Sequence, residues 1–176
     1  MVDGRRQTAL VTGGAGLIGS HIVDAALAAG WDVRILDNLQ RQTHRDGKPA
    51  WVPAEAEFVQ GDVRNRRTWE RALDGIDVVF HEAAYGGYMP EIAKFIDSNG
   101  VGTALLLETI RDRNLPVRKV VVASSQAVYN EGAYRCADHG PFYGTTRSME
   151  QLARGDWPMH CPECGQPTIP IPTDEG

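Results

Sequence analysis

The sequence predicts an α/β fold, a doubly wound parallel sheet, followed by a short C-terminal segment of different character. Three observations predict it. Short apolar runs alternate with longer amphipathic ones from residue 8 to residue 123. A glycine-rich stretch stands at the first strand-to-helix junction. Composition then shifts near residue 131: residues 1–130 carry 15 basic and 16 acidic side chains, whereas 131–176 carry 3 and 7, all three Cys and six of the ten Pro.

The elements follow in order. Residues 8–12 read as a strand. Residues 17–29 read as a helix, with Leu17, Ile18, Ile22, Val23, Ala26 and Leu27 at helical spacing. Gly30 closes it. Residues 33–37 form a second strand, and the polar stretch 38–54, with Pro49 and Pro53, reads as a loop. A third strand covers 57–60. A helix over 65–73 starts at Asn65, a candidate N-cap. A fourth strand covers 77–81, a long helix 91–113 is interrupted near Gly100, and a fifth strand covers 119–123. Strands that are apolar throughout belong in a parallel sheet covered on both faces.

At 176 residues and 42% hydrophobic, the chain is one domain, or one domain with an appendage. The net charge of −5 argues against a nucleic-acid binder, which needs a basic face. No apolar run approaches the ~20 residues that span a bilayer. The polar start, Met1 to Arg6, shows no signal segment. A soluble, cytoplasmic protein is therefore expected. Three cysteines do not suggest a disulfide framework.

The strongest motif runs from Thr12 through Gly13, Gly14, Ala15, Gly16, Leu17 and Ile18 to Gly19. Gly13 suits a tight turn, Gly16 lets the backbone approach a pyrophosphate, and Gly19 lets helix and strand pack closely. The helix N-terminus then offers oriented N–H groups and positive potential. The spacing is G-x-x-G-x-x-G, and its bland alternative is a plain strand–helix turn. A strand before it and a helix after it favour a Rossmann-like nucleotide site. Asp37 ends the second strand, 18 residues after Gly19. Its carboxylate suits both hydroxyls of an adenosine ribose and repels a 2′-phosphate, which favours NAD over NADP. Asn38 beside it offers no cation for that phosphate. Asp62, followed by Val63, ends the third strand and can reach an adenine amino group, or else shapes a turn.

These motifs, with His81-Glu82-Ala83-Ala84, Asn99-Gly100-Val101-Gly102-Thr103 and Ser124-Ser125-Gln126-Ala127-Val128-Tyr129, resemble the extended short-chain dehydrogenase/reductases over residues 7–130. Within them the chain is similar to the NAD-dependent nucleotide-sugar epimerases and dehydratases. Residues 83–90 resemble particular actinobacterial-type sugar 4-epimerases. The resemblance implies NAD as cofactor, a UDP- or dTDP-linked sugar as substrate, and a homodimer. It implies that Ala83 and Ala84 line the cofactor and that Asn99 fixes local geometry. It also implies that Ser125 hydrogen-bonds the substrate oxygen at the hydride-transfer carbon. Read without the resemblance, Ser125 is equally a strand-end serine that satisfies a backbone group.

The family mechanism also needs a Tyr-x-x-x-Lys pair, in which the lysine lowers the tyrosine pKa. No lysine follows Lys119. The nearest match sets Tyr143, the candidate catalytic base, four residues before Arg147. Arginine is a poor substitute for a compact ammonium. The chain reads as an N-terminal cofactor-binding portion that stops before the expected pair and before a substrate domain.

In residues 131–176, Cys136-x-x-His139 and Cys161-x-x-Cys164-Gly165 form two pairs separated by 21 residues. Such pairs make metal knuckles, and together they close a Cys₃His shell for structural Zn²⁺ in a zinc-ribbon-like insertion. Unligated thiols or a redox-active Cys-x-x-Cys are the alternatives. Three functional readings stay open: an NAD-dependent epimerase or dehydratase, a non-catalytic NAD-binding module, and a zinc-ribbon interaction protein on a Rossmann scaffold.

Overall fold

The computed structural model describes residues 5–87 and 90–174. Tyr88 and Met89, part of the 83–90 resemblance, lie outside the described residues. The chain divides into two compact units, Met1–Ala123 and Ser124–Gly176.

The first unit alternates strand and helix: β1 (Thr8–Thr12), α1 (Leu17–Ala28), β2 (Asp32–Asp37), β3 (Glu57–Gln60), α2 (Arg66–Ala72) and β4 (Val78–His81). The expected long helix is three pieces, α3 (Ile92–Phe95), a π-helical turn (Ile96–Val101) and α4 (Gly102–Asp112), before β5 (Lys119–Val122). All five strands are parallel, in the order β3-β2-β1-β4-β5. The order reverses between β1 and β4, and ligands of such sheets bind beyond the strand C-termini at that point.

Side-chain alternation along the strands builds the two faces. Leu10, Leu36 and Val79 point to one side, where α2 and α4 bring Trp69, Leu73 and Leu106. Val11, Val33 and Ile35 point to the other, where Val23 and Ala26 of α1 meet Val52 and Ala56. Each fully buried side chain of this size contributes roughly 1.5–3 kcal/mol. Trp69 is fully buried, and its indole N–H donates to the Val63 carbonyl at 2.6 Å. Asn65 caps α2 as expected, its side chain accepting from the Arg67 N–H. Gly30 ends α1 at φ +79°, the left-handed conformation its role requires.

The second unit has a short 3₁₀ turn (Gln126–Tyr129), β6 (Ala133–Cys136), β7 (Gly140–Tyr143), α5 (Met149–Ala153) and β8 (Ile169–Pro170). Its sheet is antiparallel, in the order β7-β6-β8.

Candidate functional site

The glycine turn is held closely from below. Gly13 takes φ +67°, donates to the Leu36 carbonyl at 2.8 Å and accepts from Gly16 N–H at 2.9 Å. A Cβ at position 19 would lie 2.2 Å from the Gly13 carbonyl oxygen, so α1 rests directly on the backbone of the turn. A Cβ on Gly16 would lie 3.2 Å from that same oxygen. Gly16 is the N-cap of α1, no side chain caps the helix, and its first turn holds no acid. Leu17 and Ile18 occupy that turn with their side chains exposed. The positive helix end is thus left for an anion.

Above the turn opens a cleft. The structure brings eight of the expected cofactor residues to its walls: Gly13, Gly16, Asp37, Asn38, Asp62, Val63, Ala83 and Ala84. Gly19 lies beneath the turn, and Leu17 and Ile18 flank it. Asp37 is buried, with one carboxylate oxygen accepting from Ala15 N–H at 3.1 Å and the other from Leu39 N–H at 2.8 Å. It joins the glycine turn to the loop after β2, and each oxygen keeps a second lone pair for a ligand hydroxyl. Asn38 donates to Asp62 at 3.1 Å. The Arg64 guanidinium, bonded to Asp62, holds that carboxyl down at about 2. Burial pushes the Glu82 carboxyl, also in the wall, above its usual range.

Asn99 acts from behind the cleft. Its side-chain oxygen accepts from Tyr85 N–H at 2.8 Å and its amide donates to the Tyr85 carbonyl at 3.0 Å. The chain after Ala84 is pinned as a strand partner would pin it. A hydrogen-bond chain, buried between Thr12 and His81 and reaching solvent at Thr103, continues the connection. Ala83 N–H donates to Thr12 Oγ1 at 3.1 Å, and Thr12 lies 2.7 Å from His81 Nδ1. His81 Nε2 lies 3.1 Å from Thr103 Oγ1, whose proton goes to the Asn99 carbonyl at 2.7 Å. With the Thr103 proton so committed, His81 donates from Nε2 and accepts at Nδ1, so the ring is neutral. Burial agrees, pushing its pKa down to about 4.

Sequence reasoning missed Gln40, Thr43, His44 and Ser98 in the cleft wall. His44 is 8% exposed, with Nε2 3.8 Å from Asp37. It lies in the polar stretch 38–54, where nothing in the spacing marks a buried residue.

The remaining candidates belong to the second unit. Ser125 is the N-cap of the 3₁₀ turn, its hydroxyl accepting from Ala127 N–H at 3.1 Å. Tyr143 lies at the end of strand β7. Its hydroxyl donates to Asp174 at 3.0 Å, and that carboxylate raises the phenol pKa, opposite to what a phenolate base needs. Arg147 bonds Glu131, the Tyr134 hydroxyl at 3.2 Å and the Trp157 carbonyl at 2.9 Å. Cys136, His139, Cys161 and Cys164 come together, their ligand atoms all within 4.8 Å of one another.

A glycine turn feeding an open helix N-terminus, at the switch point of a parallel sheet, defines a dinucleotide-binding α/β domain. Comparison with known proteins carries this further. The NAD dependent epimerase/dehydratase family matches residues 9–149, and the chain belongs to it. It is 33% identical over 163 residues to dTDP-L-rhamnose 4-epimerase of Burkholderia thailandensis, covering 89% of this chain and 44% of that protein. It is 38% identical over 128 residues to UDP-glucose 4-epimerase of Streptomyces lividans, covering 69% and 37%. Among solved structures it is similar to the Thermus thermophilus UDP-glucose 4-epimerase complex with NAD, at TM-score 0.61 and 31% identity, covering 93% and 45%. It is also similar to UDP-glucose 4-epimerase with UDP-glucose from Thermotoga maritima, at TM-score 0.62 and 32% identity, covering 72% and 40%. The chain spans less than half the length of these relatives.

Proposed function

We propose that this chain is the cofactor-binding part of an NAD-dependent nucleotide-sugar epimerase or dehydratase. The observation that carries the reading is the glycine cradle. Gly19 packs on the Gly13 backbone with no room for a side chain, and α1 presents uncapped N–H groups to the cleft. Those groups hold the pyrophosphate of NAD, and Asp37 takes the adenosine ribose hydroxyls with its spare lone pairs. Asp62 already accepts four hydrogen bonds from Arg64 and Asn38 and takes the adenine amino group by giving one of them up, while Val63, Ala83 and Ala84 exclude water from the cofactor. Asn99 keeps 83–85 in place. When bound there, NAD would supply the hydride acceptor and donor for a sugar carbon.

The substrate is a UDP- or dTDP-linked sugar, which the activities named for the relatives support. The setting of Tyr143 and Arg147 favours a structural role for both. The tyrosine–lysine pair the family chemistry needs is then not supplied by these 176 residues. The reading places the protein in the cytoplasm as a homodimer. Ile92 and Ile96, 76% and 63% exposed, supply apolar surface for a second subunit. No helix among the described residues is long and apolar enough to cross a membrane. The zinc expected at the Cys/His cluster is structural and takes no part in the hydride chemistry.

Calorimetric titration with NAD and NADP tests the cofactor reading: NAD binds tighter, and a preference for NADP refutes the role given to Asp37. In an assay with UDP- and dTDP-hexoses, the 176-residue chain shows negligible turnover. Robust turnover abolished by Tyr143→Phe would make Tyr143 the base after all.

A further inference from the structure

We infer that the second unit is organised around one tetrahedral Zn²⁺ bound by Cys136 Sγ, His139 Nδ1, Cys161 Sγ and Cys164 Sγ, with Glu163 orienting the imidazole through its far nitrogen. The inference extends the structural-zinc reading to a coordination mode, and it is independent of NAD chemistry.

The spacing of the donor atoms carries it. Zinc–sulfur bonds of ~2.3 Å and zinc–nitrogen bonds of ~2.0–2.1 Å make tetrahedral edges of about 3.8 Å between sulfurs and about 3.6 Å between sulfur and nitrogen. Here Cys136 Sγ lies 3.7 Å from Cys164 Sγ, and His139 Nδ1 lies 3.6 Å from both Cys136 Sγ and Cys161 Sγ. A disulfide would need sulfurs about 2.05 Å apart.

The backbone prepares the site from both sides. Cys136 ends β6, and the hairpin to β7 turns through His139 and Gly140, the latter at φ +78°. Backbone N–H groups of Asp138 and His139 point at the Cys136 sulfur. Those of Glu163 and Cys164 point at Cys161. Gly165, at φ +71°, donates to the Cys161 carbonyl at 2.9 Å and closes the second knuckle.

The choice of histidine and its tautomer follow as well. His160 adjoins Cys161 in sequence, but its Nδ1 bonds the Gly165 carbonyl at 3.0 Å and its Nε2 bonds Asp156 at 2.9 Å. His139 keeps Nδ1 toward the sulfurs, while its Nε2 faces Glu163 at 3.9 Å. That is ion-pair rather than hydrogen-bond distance, and a carboxylate that closes on the far nitrogen fixes the ring and raises ligand basicity. With four protein donors no position is left open, so the metal is structural rather than catalytic.

The unit also has little else to fold around. Both hydrophobic clusters found among the described residues belong to the first unit. In the second, the buried hydrophobic side chains are Ala133, Cys136, Met159 and Cys161, two of them ligands. Metal binding supplies what a core of that size cannot.

The test uses the full 176-residue chain, purified without chelator. Elemental analysis should find about one zinc per chain. Co²⁺ added to the metal-free chain should give intense tetrahedral d–d bands with thiolate charge transfer, and Cys136→Ser should weaken both. Glu163→Gln should keep the stoichiometry and lower affinity for Zn²⁺ about 10–100-fold in chelator competition. Absence of zinc, a pale six-coordinate Co²⁺ spectrum, a disulfide by mass, or a Cys136→Ser spectrum like the parent's would overturn the site. Unchanged affinity in Glu163→Gln would overturn the role of Glu163. NAD titration of the same samples reads the first unit alone, so failure of the metal site and failure of the cofactor reading stay distinguishable.

Discussion

A methyl group at position 19 would meet the Gly13 carbonyl at 2.2 Å, whereas one at position 30 would meet nothing within 4 Å. The two glycines therefore fail differently. Gly19→Ala should push α1 off the turn and weaken NAD binding tenfold or more, about 1.4 kcal/mol or above. Gly30→Ala, at φ +79°, should cost about 1–2 kcal/mol of stability and leave NAD affinity unchanged. Calorimetry and urea denaturation separate the two effects. The glycines were legible in the sequence because only glycine tolerates the close approach at 19 and the left-handed backbone at 30. His44 was not, because its burial depends on how residues 38–56 fold back over the sheet, which no local pattern encodes. His81 makes a second residue-scale prediction. Its imidazole takes a proton near 6.5 when unfolded but resists until about 4 when folded, because burial disfavours the charged ring. Between those values the unfolded state binds the extra proton, so stability is full above pH 6.5 and declines as pH falls toward 4. The loss is on the order of 3 kcal/mol. Urea unfolding against pH should show that slope, and His81→Gln should remove it. An unchanged slope in the variant would assign it elsewhere.

At the scale of elements, the helix expected over 91–113 is broken by a π-helical turn, Ile96–Val101. Such turns recur at functional sites, and this one carries Asn99 into contact with Tyr85 while Thr103 closes the hydrogen-bond chain to His81. The sequence marked an interruption at Gly100 but not its form, because a π turn is selected by the tertiary partners of Asn99. Gly102 then packs against Val63, where a Cβ would lie 3.0 Å from the valine methyl. Asn99→Ala removes both bonds to Tyr85 and leaves two backbone groups seeking partners. It should cost about 1–3 kcal/mol and weaken NAD severalfold, with faster hydrogen exchange at Tyr85. Exchange at Tyr85 equal to the parent's would show that the pin is not needed.

For the whole molecule, the sheet and its parallel sense followed from apolar strands alternating with amphipathic helices, whereas the strand order and its switch point come from the structure. The division into units falls at Ala123–Ser124, ahead of the composition change at residue 131. Residues 124–130 are uncharged and hold neither Cys nor Pro, so the composition change falls after the boundary. The second unit's sheet was not legible: its strands are short and rich in Pro and Gly, and their pairing is joined to a side-chain cluster rather than to a hydrophobic pattern. Chelation should accordingly raise hydrogen exchange and protease cleavage across 133–170 while 8–122 stays protected. Uniform protection in both states would show a unit that holds without metal. The central claim, that the cradle of the first unit receives NAD, is tested most directly by hydrogen exchange of the intact chain with and without saturating NAD. Protection should rise at 13–20, 37–44 and 83–85 and stay level across 133–170. No change at 13–20 on saturation, or protection confined to other segments, would contradict it.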